Sequence, residues 1–251
     1  MNKMYTLTRL YERYRKFLIG IIFFVIFFIT LFNTIPTWVL GSLLNKYSAQ
    51  KLKLYDTHGT FWDGSGLLVA TDPKSNSSAP LILLNWKIKL GMTKFVDMQF
   101  FVGNNNLANI YLDKKGVNLN NLNMSLSIGQ VTELFGIIKN LGLSGNVNIS
   151  TNQMILGKTN QGTFNIKLTA VSSSISPVNP LGNYNVVFNT DNRSIKVSSS
   201  ENSSLTLNGE GSVSELILKG KVATDKKDKL LQFITVMGSP QPDGTYSMKI
   251  F

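Results

Sequence analysis

The chain has 251 residues, enough for one large domain or two small ones, and 43% of them are hydrophobic against 16% charged. It has no cysteine and a single histidine, His58. This excludes disulfide scaffolds, thiol catalysis and cysteine-ligated clusters, and leaves no donor set for a histidine-based zinc site. The net charge of +11 is uneven: Lys3, Arg9, Arg13, Arg15 and Lys16 crowd the start against Glu12 alone. The rest is spread and almost all lysine, with Arg193 the one arginine beyond the start. That distribution fits membrane topology and solubility, not the clustered arginine of a nucleic-acid surface, so no nucleic-acid partner is expected.

The first element is apolar. Residues 17–32 read FLIGIIFFVIFFITLF, and the run from Phe17 to Ile35 contains no charge. A bilayer core needs roughly 20 helical residues, so this run predicts one transmembrane helix. Pro36 marks its exit, and Trp38 stands where an interfacial aromatic belongs. The run exceeds a signal-peptide core and lacks a small-x-small cleavage site, which favours an uncleaved anchor. The expected organisation is a cytoplasmic basic segment (1–16), a signal anchor (17–40) and a periplasmic β-rich domain (41–251). The positive-inside rule sets that orientation, and the lack of cysteine with abundant asparagine and serine fits an exported bacterial protein.

From Leu52 onward the hydrophobic period is two. Leu122, Met124, Leu126 and Ile128 alternate with Asn123, Ser125 and Ser127, and Phe164, Ile166 and Leu168 with Asn165 and Lys167. Tyr184–Phe188, Ile195–Val197, Leu205–Leu207 and Tyr246–Ile250 follow the same rule. Strict alternation predicts strands with one buried and one wet face, about a dozen of them. Turns are expected at Lys115–Gly116, Gly145–Asn146, Asn208–Gly209 and Asp243–Gly244. Two stretches break the pattern and predict short helices: residues 131–141, and 226–238 with Asp225 as N-cap and Gly238 as C-cap. The fold class is therefore mainly β: one N-terminal transmembrane helix, then a curved, mostly antiparallel sheet, a groove or an open sandwich, with two short helices.

Chemistry is hard to find. Gly64-Ser65-Gly66 runs into a strand and not into a helix, so it reads as a bend, not a phosphate loop. No nucleophile elbow or HExxH is present, and Asp56, Asp63 and His58 read as turn residues. No catalytic, metal-binding or cofactor-binding residue is expected, and the chain reads as no enzyme. The most distinctive element is Gly59-Thr60-Phe61-Trp62-Asp63-Gly64, followed by an apolar strand and then Trp86. Gly59 and Gly64 permit tight backbone geometry, and Trp62 is expected to be a large buried anchor.

These motifs carry a family resemblance. One N-terminal span, Gly59-Thr60-x-Trp62-x-Gly64, a Leu-x-x-Trp strand at Leu83–Trp86, Pro180-Leu181-Gly182-x-Tyr184, Leu205-x-Leu207-x-Gly209-x-Gly211 and Asp243-Gly244-x-Tyr246 follow in order. The chain resembles protein N of the bacterial type II secretion pathway, and through it the AsmA-like group, whose sheets curl into a hydrophobic groove. The resemblance implies a non-enzymatic, bitopic inner-membrane accessory component. Its partners would be other inner-membrane secretion components and the membrane, with lipid as a further partner. The alternative is a lipid-binding or lipid-transfer groove protein of the AsmA-like kind.

Overall fold

The computed structural model describes residues 2–73, 77–132 and 141–249. Helix α1 (Asn2–Asn33) contains the apolar run, and Tyr14–Asn33 is the one described helix long and apolar enough to cross a membrane. That window is exposed along its length, so it is no core helix of the domain. A break at residues 34–37 precedes α2 (Trp38–Tyr47), a helix that alternation alone did not predict. The expected anchor, 17–40, thus ends as a helix at Asn33, because Pro36 lacks the N–H that would continue it.

Fourteen described strands form one sheet. They are β1 (Leu52–Gly59), β2 (Asp63–Asp72), β3 (Ser77–Leu90), β4 (Val96–Val102), β5 (Asn105–Asp113), β6 (Gly116–Ser127) and β7 (Leu143–Gly157). Then follow β8 (Gln161–Ser173), β9 (Gly182–Asn189), β10 (Ser194–Ser199), β11 (Leu205–Ser212), β12 (Leu216–Val222), β13 (Ser239–Pro240) and β14 (Tyr246–Lys249). Each strand pairs antiparallel with its sequence neighbour, except that β14 lies between β12 and β13. The order is linear, so the sheet is open. One edge, β1, is flanked by α2, where a Cβ on Gly41 would sit 3.6 Å from that of Leu54. The other edge is the two-residue β13, blunted by Pro240.

The expected class holds: mainly β, antiparallel and curved behind one apolar helix. The curvature follows from the core. Ala70 of β2 and Leu81 of β3 share one buried cluster with Leu126, Val147, Val171 and Tyr184 of β6 to β9. Strands that lie several ladder spacings apart in a flat sheet can share a core only if the sheet folds over. The short helix α3 (Ile128–Thr132) joins the same closure, its Gln130 amide donating to the carbonyl of Pro80 at 2.7 Å. The helix expected over 131–141 falls mostly on residues 133–140, outside the described residues. The second expected helix is α4 (Lys227–Met237), whose Leu230, Phe233 and Ile234 pack on Leu181 and Leu205. Asp225 lies in a preceding 3-10 turn and Lys226 takes the N-cap position, so Asp225 does not cap the helix. Gly238 is the C-cap as expected, its N–H donating to the Ile234 carbonyl at 2.9 Å, in extended and not left-handed geometry.

Two expected turns are not turns. Asn208–Gly209 lies inside β11, where a Cβ on Gly209 would come within 2.4 Å of the Ile217 carbonyl. There glycine serves a close approach of strands. Gly145–Asn146 lies inside β7, with Gly145 at φ +125° beside a register shift, a bulge and not a reversal. Lys115–Gly116 and Asp243–Gly244 do reverse the chain.

Candidate functional site

The Gly59–Gly64 motif joins β1 to β2. Gly59 adopts φ +87°, and a Cβ there would meet the Asp63 carbonyl at 2.5 Å. The Thr60 hydroxyl accepts from the N–H groups of Trp62 and Asp63 at 3.3 and 3.2 Å, closing a compact turn. On one side the turn is tied to the core: Trp86 Nε1 donates to the Phe61 carbonyl at 3.1 Å, and the Ile88 N–H donates to that of Trp62 at 2.6 Å. On the other it receives the chain leaving α1. The Phe61 N–H donates to the Ile35 carbonyl at 2.8 Å, Pro36 bridges Thr60, and Trp62 Nε1 donates to the Phe32 carbonyl at 2.6 Å. Phe32 is in the last turn of α1, where its carbonyl has only a long 3.5 Å bond from the Ile35 N–H, so Trp62 supplies the shorter partner.

The two tryptophans therefore differ. Trp86 is 1% exposed and belongs to the core. Trp62, expected to be buried, is only half-buried, because its ring covers Phe32, with centroids 4.4 Å apart. Its task is to hold the helix against the sheet.

The second feature is the sheet's inner face. Register places Trp86, Phe100 and Ala108 in one cross-strand row, and Ile88, Met98, Ile110, Leu119 and Met154 in the next. Further along, Ile149, Ile166, Val186 and Val197 share a row. The opposite face of the same strands carries Asn123, Ser125, Asn148, Lys167 and Asn185. This is the alternation read from the sequence, now assigned to one concave apolar and one convex polar surface. The inner face is unevenly covered. At one end β1 to β3 close on β6 to β9, and α4 packs over β11 to β14. Ile149 and Ile166 pack at the margin of that closure, and between and beyond the closed parts Phe100, Ile110, Phe164 and Phe188 remain half-buried.

The polar chemistry is sparse. Among the described residues no three His, Cys, Asp or Glu side chains group closely enough to hold a metal ion. His58 Nε2 lies 3.3 Å from Asp56 Oδ1, both exposed on β1 and its bulge, not in a cleft. Burial pushes the Tyr184 phenol up, and its hydroxyl donates to the Leu205 carbonyl at 2.8 Å, a structural bond. Among the described residues the geometry offers surfaces for contact.

The type II secretion system protein N family profile matches residues 50–249, from the strand that precedes the Trp62 turn to the last described strand. The chain belongs to that family. Neither a curated protein nor a solved structure matches it. Membership makes it a secretion-system component and implies association with other components of that system. The match begins after α1 and α2, so the helix that Trp62 seats lies outside the matched region.

Proposed function

We propose that this protein is a non-enzymatic accessory component of the type II secretion machinery in the bacterial inner membrane. It crosses once through α1, keeps residues 1–16 in the cytoplasm and presents its sheet to the periplasm. It acts there by contacts with other inner-membrane components. The observation that carries the reading is the seat of α1: an apolar helix, exposed along its length, is tied at its last turn to a domain of the secretion family. The basic residues before Phe17 support the orientation. A reporter active only in the periplasm, fused after Phe251, is expected to be active, and deletion of the chain is expected to lower release of type II substrates. A fusion active only in the cytoplasm, or unchanged secretion, would overturn the reading.

A second reading rests on the half-buried inner face. An uncovered apolar trough of this kind calls for an occupant, and acyl chains from the adjacent bilayer fit its chemistry. This is the lipid-handling reading that the AsmA-like resemblance implies. Photoactivatable acyl chains in the membrane are expected to label inner-face strands. Labelling restricted to α1 would remove this reading and leave the first intact.

A further inference from the structure

The antiparallel register sorts the turns of the sheet onto two ends. The β1–β2 turn, which holds Phe32 through Trp62, shares its end with the β3–β4, β5–β6 and β7–β8 turns. On that end β3 runs past the seat. Ile88 bonds to Trp62, Leu90 lies two residues further, roughly 7 Å along a strand, and residues 91–95 extend beyond it.

What these turns expose is unusual for water. Met92 at the tip is 98% exposed, and Phe95 is exposed beside it. The last inner-face row before the turns is Leu90, Val96, Leu112, Val117 and Leu156, continuous over five strands. Four of its members are exposed and only Val96 is half-buried. Around this apolar lip stand the exposed amines of Lys94, Lys114, Lys115 and Lys158. Asp113 is the one carboxylate in the same three turns, and the N–H groups of Lys115 and Gly116 already occupy it. Lys94 lies 4.4 Å over the Tyr111 ring and 3.8 Å from Asp97. Asp191 and Glu215 lie in turns further along the sheet.

An exposed apolar lip ringed by lysines, beside the exit of an apolar helix, matches a membrane surface better than any soluble partner. We infer that this rim rests on the same bilayer that α1 crosses, with Met92 and Phe95 inserted among the lipids and Lys114, Lys115 and Lys158 over anionic headgroups. The inference depends on the reading of α1 as a span. It goes beyond that reading in giving the sheet a fixed posture: the open end of the apolar face meets the membrane, and the end closed by α3 and α4 points away.

The absence of cysteine makes the test direct. Full-length chains carrying one spin-labelled cysteine at Phe24→Cys, Met92→Cys or Asn202→Cys are reconstituted in nanodiscs of phosphatidylcholine, with and without phosphatidylglycerol. Accessibility to oxygen against a water-soluble nickel chelate is then read for each. The Phe24 and Met92 labels are expected to favour oxygen several-fold more than the Asn202 label, which sits in the β10–β11 turn at the far end. Phosphatidylglycerol is expected to draw the Met92 label deeper, and a variant with Lys114→Glu, Lys115→Glu and Lys158→Glu to lose that response. A Met92 label as wet as Asn202, with Phe24 in the bilayer, overturns the rim contact alone. A wet Phe24 label overturns the span and the rim together. A Met92 depth indifferent to phosphatidylglycerol overturns the role given to the lysines.

Discussion

Trp62 Nε1 donates to the carbonyl oxygen of Phe32 at 2.6 Å, across thirty residues of sequence, while the two rings lie 4.4 Å apart. One side chain thus gives a carbonyl at the end of α1 its short hydrogen bond and covers the ring beside it. The same turn hands its own carbonyls to Trp86 and Ile88. The motif is a joint: its inner half is core and its outer half is a clasp.

Truncating the two halves should have unequal effects. Trp62→Ala removes one hydrogen bond and two ring contacts, to Phe32 and Phe61, about 1–3 kcal/mol together. Trp86→Ala empties a buried indole site, which costs about 3–5 kcal/mol. Urea unfolding of the full chain in detergent, followed by circular dichroism, should rank them in that order. Equal losses would mean that Trp62 is core after all.

Gly64 and Gly209 test the close approaches. A Cβ on Gly64 would stand 2.7 Å from the His58 carbonyl and 2.8 Å from Trp86 Cζ2, and one on Gly209 2.4 Å from the Ile217 carbonyl. In both cases backbone must move, so alanine at either site is expected to cost about 1–3 kcal/mol. Unchanged unfolding midpoints would show that the strands can part without loss.

Much of this fold was legible because alternation is a local signal. Ile166 and Lys167 point to opposite faces whatever their strand pairs with, so the wet and apolar faces could be assigned residue by residue. What was not legible depends on partners distant in sequence. Trp62 looks like a core residue on composition alone, and only the arrival of Phe32 makes it a clasp. Asn208–Gly209 has turn chemistry, yet its glycine answers to Ile217 on the neighbouring strand. The rim is invisible for the same reason: Leu90, Val96, Leu112, Val117 and Leu156 are scattered in the chain, and only register aligns them.

The β13–β14 turn gives a pH prediction. The Thr245 hydroxyl and N–H both donate to Asp243, at 2.6 and 3.0 Å, and hold its carboxyl below the usual carboxylate range. A depressed folded pKa contributes stability above the unfolded value, and that stability is lost as pH falls through the folded one. The turn should therefore loosen only below the ordinary aspartate range. A titration of the Asp243 carboxyl by NMR should place its midpoint there, and Thr245→Val should raise it. A midpoint at the ordinary value would show that the bonds do not form in solution.

The inner face makes the last prediction. Ile166 sits in the row Ile149–Ile166–Val186, half-buried where it packs against the cluster of Ala70 and Leu81, and so stands at the margin of the trough that Phe164 and Phe188 line. Acyl chains there would gain about 0.8 kcal/mol per buried CH₂, and a carboxylate in the row would lose its hydration without a partner. Diazirine-bearing phospholipids, photolysed in membranes holding the full chain, should label peptides of β6 to β9 as well as α1. Ile166→Asp should abolish the sheet labelling and spare that of α1, which serves as an internal control for insertion. Lys167→Asp, on the convex face of the same strand, should change neither. Sheet labelling that survives Ile166→Asp would place the lipid elsewhere on the domain. Labelling confined to α1 in the unaltered chain would mean that no acyl chain enters, and the half-buried face would then await a protein partner from the secretion machinery.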